Sequence, residues 1–185
     1  MKNLSLATLL PLAAALCGAP AFAADDRLPV PDQGWEVRFD GPAYDKVDEK
    51  NRPNQYMLRG TSGRFNVSLF VETPSCAGGL SNEALYACYQ VALKRNPMVV
   101  PATVRANALP KGVAVMYMMQ VEAEGRKIPM FNINVLFAHG GKQGDLHVSM
   151  IAPQHGDVEA LIRIAESFDV VDTAAAPAPA GSAAN

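Results

Sequence analysis

Residues 129–152 read PMFNINVLFAHGGKQGDLHVSMIA, and the alternation inside this stretch decides the fold. Ile133, Val135 and Phe137 alternate with Asn132, Asn134 and Leu136; Leu146, Val148 and Met150 alternate with His147 and Ser149. Side chains two residues apart share one face of a strand, so each run presents a continuous apolar face. Gly140 to Gly144 between the runs is turn chemistry, and so short a connection joins antiparallel neighbours. With Lys142-Gln143 as a two-residue turn, Phe137 faces Val148, Val135 faces Met150 and Ile133 faces Ala152, which aligns the apolar faces. That register sets His147 opposite Ala138 and His139 opposite Leu146, on different faces of the sheet.

Two more strand-like runs precede this hairpin, Val99 to Ala108 and Val113 to Glu122. They are separated by Pro110-Lys111-Gly112 and followed by the turn Glu124-Gly125-Arg126. Further upstream the period changes. Leu85, Cys88, Tyr89, Ala92 and Leu93 recur at helical spacing, behind Ser81 as N-cap and Glu83 in the first turn. Lys94-Arg95 and Asn96-Pro97 end that helix. Before it lie three strands: Trp35 to Phe39, a short one at Tyr56 and Leu58, and Phe65 to Val71. The first follows a Pro-rich lead-in, and Gly60 to Gly63 break the second. The charged segment Asp45 to Pro53 reads as an exposed loop. After the hairpin, Asp157 caps a second helix with Leu161, Ile164, Ala165 and Phe168 on one face, and Val170-Val171 closes the domain. The order βββ-α-ββββ-α indicates an α+β fold, a single antiparallel sheet of about seven strands with two main helices packed on it.

The ends carry different information. Lys2, the uncharged run Leu4 to Leu16 and Ala21-Phe22-Ala23 make a secretory leader, residues 1–23, cleaved between Ala23 and Ala24. The run is shorter than the roughly 20 residues that span a bilayer. Cys17 raises lipidation as a rival, but Leu16 stands where a lipobox needs a small residue. Residues 24–172 form the α+β domain. Residues 173–185 form an Ala/Pro-rich tail that lacks the apolar surface needed to order itself. The reading places the protein in the periplasm or outside the cell, without stable membrane insertion after cleavage.

Of 16 Lys and Arg against 18 Asp and Glu, only Lys2 falls in the leader, so the exported part carries three more acids than bases. No basic stripe is present, which argues against nucleic acid as a partner. Cys76 and Cys88 are an even pair in an oxidising compartment and are expected to form a disulfide.

The early aromatic strand Gly34-Trp35-Glu36-Val37, the strand-to-helix step from Phe65–Val71 to Ser81–Leu93, the meander, and the ending Leu161-Ile162-Arg163-Ile164-Ala165-Glu166-Ser167-Phe168 resemble the PsbP-like and DcrB-like small exported α+β domains. The resemblance implies a non-enzymatic module that docks with or assists larger assemblies, and it supplies no catalytic residues.

Chemistry-bearing residues are sparse. His139 and His147 point to opposite faces and cannot share one ion, while His155 lies in a solvated turn, so no metal site is expected from them. Met116, Met118, Met119, Met130 and Met150 permit a Cu(I) reading, although methionine also fills gaps in cores. Ser62, Ser68 and Ser149 lack a nucleophile elbow. Asn134, His147 and Ser149 share one sheet face and form the one polar grouping of interest. His139 to Gly144 lacks the spacing of a phosphate-binding loop. No cofactor follows from any motif. The sequence thus points to a binding domain whose partner is another exported or envelope protein. A hydrolase using the His/Ser/Asn face, or a carrier of an apolar ligand or Cu(I), are the alternatives.

Overall fold

The alternating runs build two sheets. The computed structural model describes residues 26–41, 44–154 and 156–173. The leader with Cys17 and the Ala23/Ala24 cleavage point, His155, and the tail from residue 174 lie outside them. Strands β1 (Asp26–Val30), β2 (Trp35–Phe39) and β10 (Asp169–Asp172) make a small sheet in the order β1-β2-β10. The large antiparallel sheet comprises β3 (Lys46–Arg52), β4 (Gln55–Ser62), β5 (Phe65–Glu72), β6 (Arg105–Leu109), β7 (Gly112–Ala123), β8 (Arg126–His139) and β9 (Lys142–Ile151). Its order is β3-β4-β5-β9-β8-β7-β6. The helices are α1 (Asn82–Arg95) and α2 (Asp157–Glu166), and a 3₁₀ turn at Pro101–Thr103 precedes β6.

The expected single sheet is therefore corrected to two. Alternation in Trp35–Phe39 reports burial of one face, and burial is the same whichever sheet the strand joins. The segment read as a loop, Asp45 to Pro53, contains β3, all of whose residues are exposed. Nothing apolar alternates there because neither face is buried, and its Lys, Asp, Glu and Arg side chains suit an unpaired sheet edge. The Pro-rich lead-in contains β1, another edge strand, where Pro29 is tolerated. Gly60 lies inside β4 beneath the ring of Tyr44, not in a turn.

The large sheet is covered on both faces. On one, Val67, Leu69, Ile133, Val135, Leu146 and Val148 meet Leu161, Ile164 and Phe168 from the second helical segment and Trp35, Val37 and Val170 from the small sheet. Burying each of these side chains stabilises the fold by about 1.5–3 kcal/mol. On the other face, Val115, Tyr117, Met119 and Leu136 pack against Leu85 and Leu93 of α1. Ser81 caps α1, its Oγ accepting from the Ala84 N–H at 3.2 Å. At α2 the cap position is Gly156, and Asp157 is the first helical residue.

The expected stripe on α1 is only partly seated. Leu85 and Leu93 are buried, Cys88 and Tyr89 are half-buried, and Ala92 is exposed. The helix packs chiefly on β7 and β8, and the polar tip of Tyr89 sits between it and the sheet. The helix therefore does not cover this face completely, and a cleft opens along one side of α1.

The β8–β9 hairpin departs from the expected register by four residues. The turn is Gly140-Gly141, not Lys142-Gln143. Both glycines have positive φ, 55° and 75°, as a two-residue hairpin turn of the primed type requires. Phe137 consequently pairs with Gly144, Val135 with Leu146 and Ile133 with Val148; His147 faces Asn134, and His139 faces Lys142. A shift of four preserves which face each side chain occupies, so His139 and His147 still lie on opposite sides of the sheet.

A candidate ligand cleft beside the first helix

The register that moves the turn also moves Asp145 from a hairpin end to the middle of the sheet. It pairs with Leu136 on β8 and with Phe70 on β5. There it borders a cleft of about 300 Å³ between α1, the loop after β5 and the sheet. Phe70, Leu85, Leu136 and the disulfide-bonded Cys76 and Cys88 supply apolar walls, while Glu72, Ser75, Gln143 and Asp145 supply polar ones.

The Cys76–Cys88 disulfide ties that loop to the helix, with Cα atoms 5.8 Å apart. Gln143 fixes the loop from the sheet side. Its Nε2 donates to Glu72 Oε1 at 2.7 Å and to Ser75 Oγ at 3.1 Å, and its Oε1 accepts from the Ser75 N–H at 3.2 Å. Two restraints thus hold this wall in place.

A directed hydrogen-bond chain ends at the acid. The Tyr117 hydroxyl donates to Asn134 Oδ1 at 3.1 Å. Tyr117 has then spent its one proton, so Tyr89, 3.0 Å away, is the donor to the Tyr117 oxygen. At the other end Asn134 Nδ2 lies 2.9 and 3.0 Å from the two carboxylate oxygens of Asp145. Burial pushes the Asp145 carboxyl up to about 7, opposed by the Asn134 hydrogen bond and assisted by the nearby Glu72 charge. Burial raises both tyrosines as well, so they remain protonated donors. A carboxyl group titrating near neutrality inside a cleft is a recognisable mark of a functional site.

The polar residues singled out from sequence lie beside this cleft, not in it. Asn134 is buried and committed to Tyr117 and Asp145. His147, though opposite Asn134, is hydrogen-bonded to Asn132: Nε2 is 3.0 Å from Asn132 Oδ1, whose own Nδ2 donates to the Met130 carbonyl. An amide oxygen only accepts, so Nε2 carries the proton. Burial, with the Arg59 charge second, lowers His147 to about 4 and keeps the imidazole neutral. Ser149 is buried opposite Asn132, and Ser68 lies across from His147 on β5. The ring is thus oriented by an amide and not by a carboxylate.

His139 sits on the other face, its Nε2 2.7 Å from Asp172 Oδ1 and its ring edge-on to Trp35. The methionines divide between faces. Met116 and Met150 pack with the core under α2, and Met119 and Met130 pack with α1. Among the described residues, no group of three His, Cys, Asp or Glu side chains is placed to hold a metal. No described helix is long and apolar enough to cross a membrane.

Sequence reading missed Asp145, Glu72, Gln143, Tyr89 and Tyr117 as a group. One signal was available: Asp145 is in phase with His147 and Ser149, and an acid in phase with a half-buried strand face needs a partner.

No protein-family model matches the chain, and no curated protein matches it in sequence. The PsbP-like and DcrB-like resemblance therefore rests on element order and the helix ending. Five solved chains match in structure. One is LpqN, involved in cell envelope biogenesis of Mycobacterium tuberculosis, with a TM-score of 0.45 and 14% identity over 80% of this chain and 92% of that one. Another is a Bacteroides thetaiotaomicron protein, with a TM-score of 0.40 and 10% identity over 72% of this chain. This chain spans 44% of that protein's length.

Proposed function

We propose that this chain is an exported, non-enzymatic binding domain whose ligand seats in the cleft between α1 and the large sheet. The observation that carries the reading is Asp145. A carboxyl group is placed in the interior of a sheet, supplied with an oriented donor chain, and still left at the wall of a cleft. A purely structural acid would be closed over by its partners, because a buried ionisable group without compensation is costly.

Export is supported by the leader pattern and by the Cys76–Cys88 bridge, which suits an oxidising compartment. A binding role is favoured over hydrolysis because His147 is a poor base, neutral down to about pH 4 and oriented by Asn132. An exported or envelope protein is a partner of the same kind when one of its side chains enters this cleft.

The test is fragment screening by backbone-amide NMR at neutral pH, with small amphipathic fragments. Saturable shifts are expected at Leu85, Tyr89, Leu136 and Asp145. They should vanish in Ala92→Trp, which fills the cleft from an exposed position on α1. Fragments that bind only elsewhere, such as the groove lined by Leu93, Val99 and Val104, would overturn the assignment.

A further inference from the structure

Among the described residues, the cleft is lined by two acids and no basic side chain. Asp145 and Glu72 both line it, close enough that the Glu72 charge disfavours ionisation of Asp145, and among the described residues no Lys, Arg or His lines it with them. The ion pairs among the described residues involve neither acid. Each carboxylate can accept about four hydrogen bonds. Glu72 takes one from Gln143, and the two Asp145 oxygens share the single Nδ2 of Asn134. Acceptor capacity and negative charge are both left over beside an apolar wall.

Resting on the cleft assignment above, we infer that this site takes a protonated primary amine on a short apolar stem. The ammonium group sits between Asp145 and Glu72, and the stem lies against Phe70, Leu85 and Leu136. An ammonium brings three donors and one positive charge, which matches two under-used carboxylates. Above about pH 7, where Asp145 is ionised, an anion would meet two like charges. A divalent cation would demand more oxygen ligands than two side chains supply, and it would leave the apolar wall without a role. The volume, about 300 Å³, lies at the low end of ligand pockets, so the occupant is small. The same chemistry is presented by a free alkylamine and by a lysine side chain of a partner.

Calorimetric titration of the full exported domain at neutral to mildly alkaline pH separates the possibilities, using n-hexylamine, 1-hexanol, hexanoate and acetyl-Gly-Lys-Gly-amide as probes. Expected is binding of hexylamine at least tenfold tighter than hexanol, with hexanoate weakest. Asp145→Asn should weaken hexylamine at least tenfold while leaving hexanol unchanged. Glu72→Gln gives a second readout should the first variant fold poorly, and it should weaken hexylamine severalfold. Either the amine or the lysine peptide binding tighter supports the inference and identifies the source. Hexanol binding as tightly as hexylamine would sink the amine assignment and leave the cleft standing. Failure of all four probes would remove both.

Discussion

Asn134 directs its amide nitrogen at both carboxylate oxygens of Asp145, 2.9 and 3.0 Å away, while its own oxygen accepts from Tyr117. Every donor in this chain points the same way, from helix α1 through the sheet to the acid. The two tyrosines are therefore unequal. Tyr89→Phe removes the terminal donor and costs about 0.5–1.5 kcal/mol, the net worth of one hydrogen bond. Tyr117→Phe leaves the Asn134 oxygen buried without its donor and Tyr89 without its acceptor, adding a desolvation penalty of about 1–3 kcal/mol. Urea unfolding of the two variants should rank Tyr117→Phe as clearly less stable. Equal losses would mean the chain is not directed as drawn.

The pH dependence of stability holds two opposed contributions on neighbouring positions of β9. Folded Asp145 keeps its proton up to about pH 7, whereas an unfolded Asp loses it near about 3.9. The folded state binds more protons in that window, so this residue's stabilising contribution is full below about pH 4 and fades as pH rises toward 7. Folded His147 is neutral down to about pH 4, whereas an unfolded His titrates near about 6.5. Here the unfolded state binds more protons, so stability rises with pH from about 4 to 6.5. Each slope is at most about 1.4 kcal/mol per pH unit, and the two largely offset. Asp145→Asn should leave stability rising across this window, and His147→Gln should leave it falling. Unfolding free energies at a few pH values would show this, and two flat variants would refute it.

Much of this architecture is legible in the sequence, and the exceptions share a cause. Alternation at Phe65 to Val71 and the 3.6-residue period after Ser81 report burial of a face, so β5 and α1 are readable. Alternation does not say which sheet a strand joins, so Trp35–Phe39 reads as part of a single sheet although it belongs to the small second one. It is silent where neither face is buried, which hides β3. It also fixes register only modulo two residues. A four-residue slip leaves the apolar faces aligned, yet it decides whether Asp145 ends a hairpin in solvent or faces a cleft. The positive-φ preference of Gly140-Gly141 was the available arbiter.

The disulfide closes a short loop that also forms one wall of the cleft. The two cysteines are 12 positions apart, and closing a loop of that size stabilises the fold by about 3 kcal/mol in the chain-entropy model. Reduction, or the double change Cys76→Ser with Cys88→Ser, should lower the guanidinium midpoint accordingly. The wall retains its tie through Gln143 to Ser75 and Glu72, so the domain should remain folded at room temperature. An unchanged midpoint would show that the bridge adds no restraint beyond that tie.

Gly144 gives the sharpest packing test, because the reason for its missing side chain is visible. A Cβ there would lie 2.1 Å from Phe137 Cζ, since the ring of its cross-strand partner lies over it. That ring cannot easily move: it packs 5.1 Å from Phe168 and edge-on to Trp35. Gly144→Ala should therefore cost about 1–3 kcal/mol by overpacking. Alanine in a strand is otherwise favoured over glycine by about 0.5–1 kcal/mol through the unfolded chain. In a Phe137→Leu background, where the ring is gone, Gly144→Ala should become neutral or stabilising. Such a reversal in a double-mutant cycle isolates the ring contact from every other effect of the methyl group. An equal cost in both backgrounds would place the constraint on Gly144 in the backbone and not in Phe137.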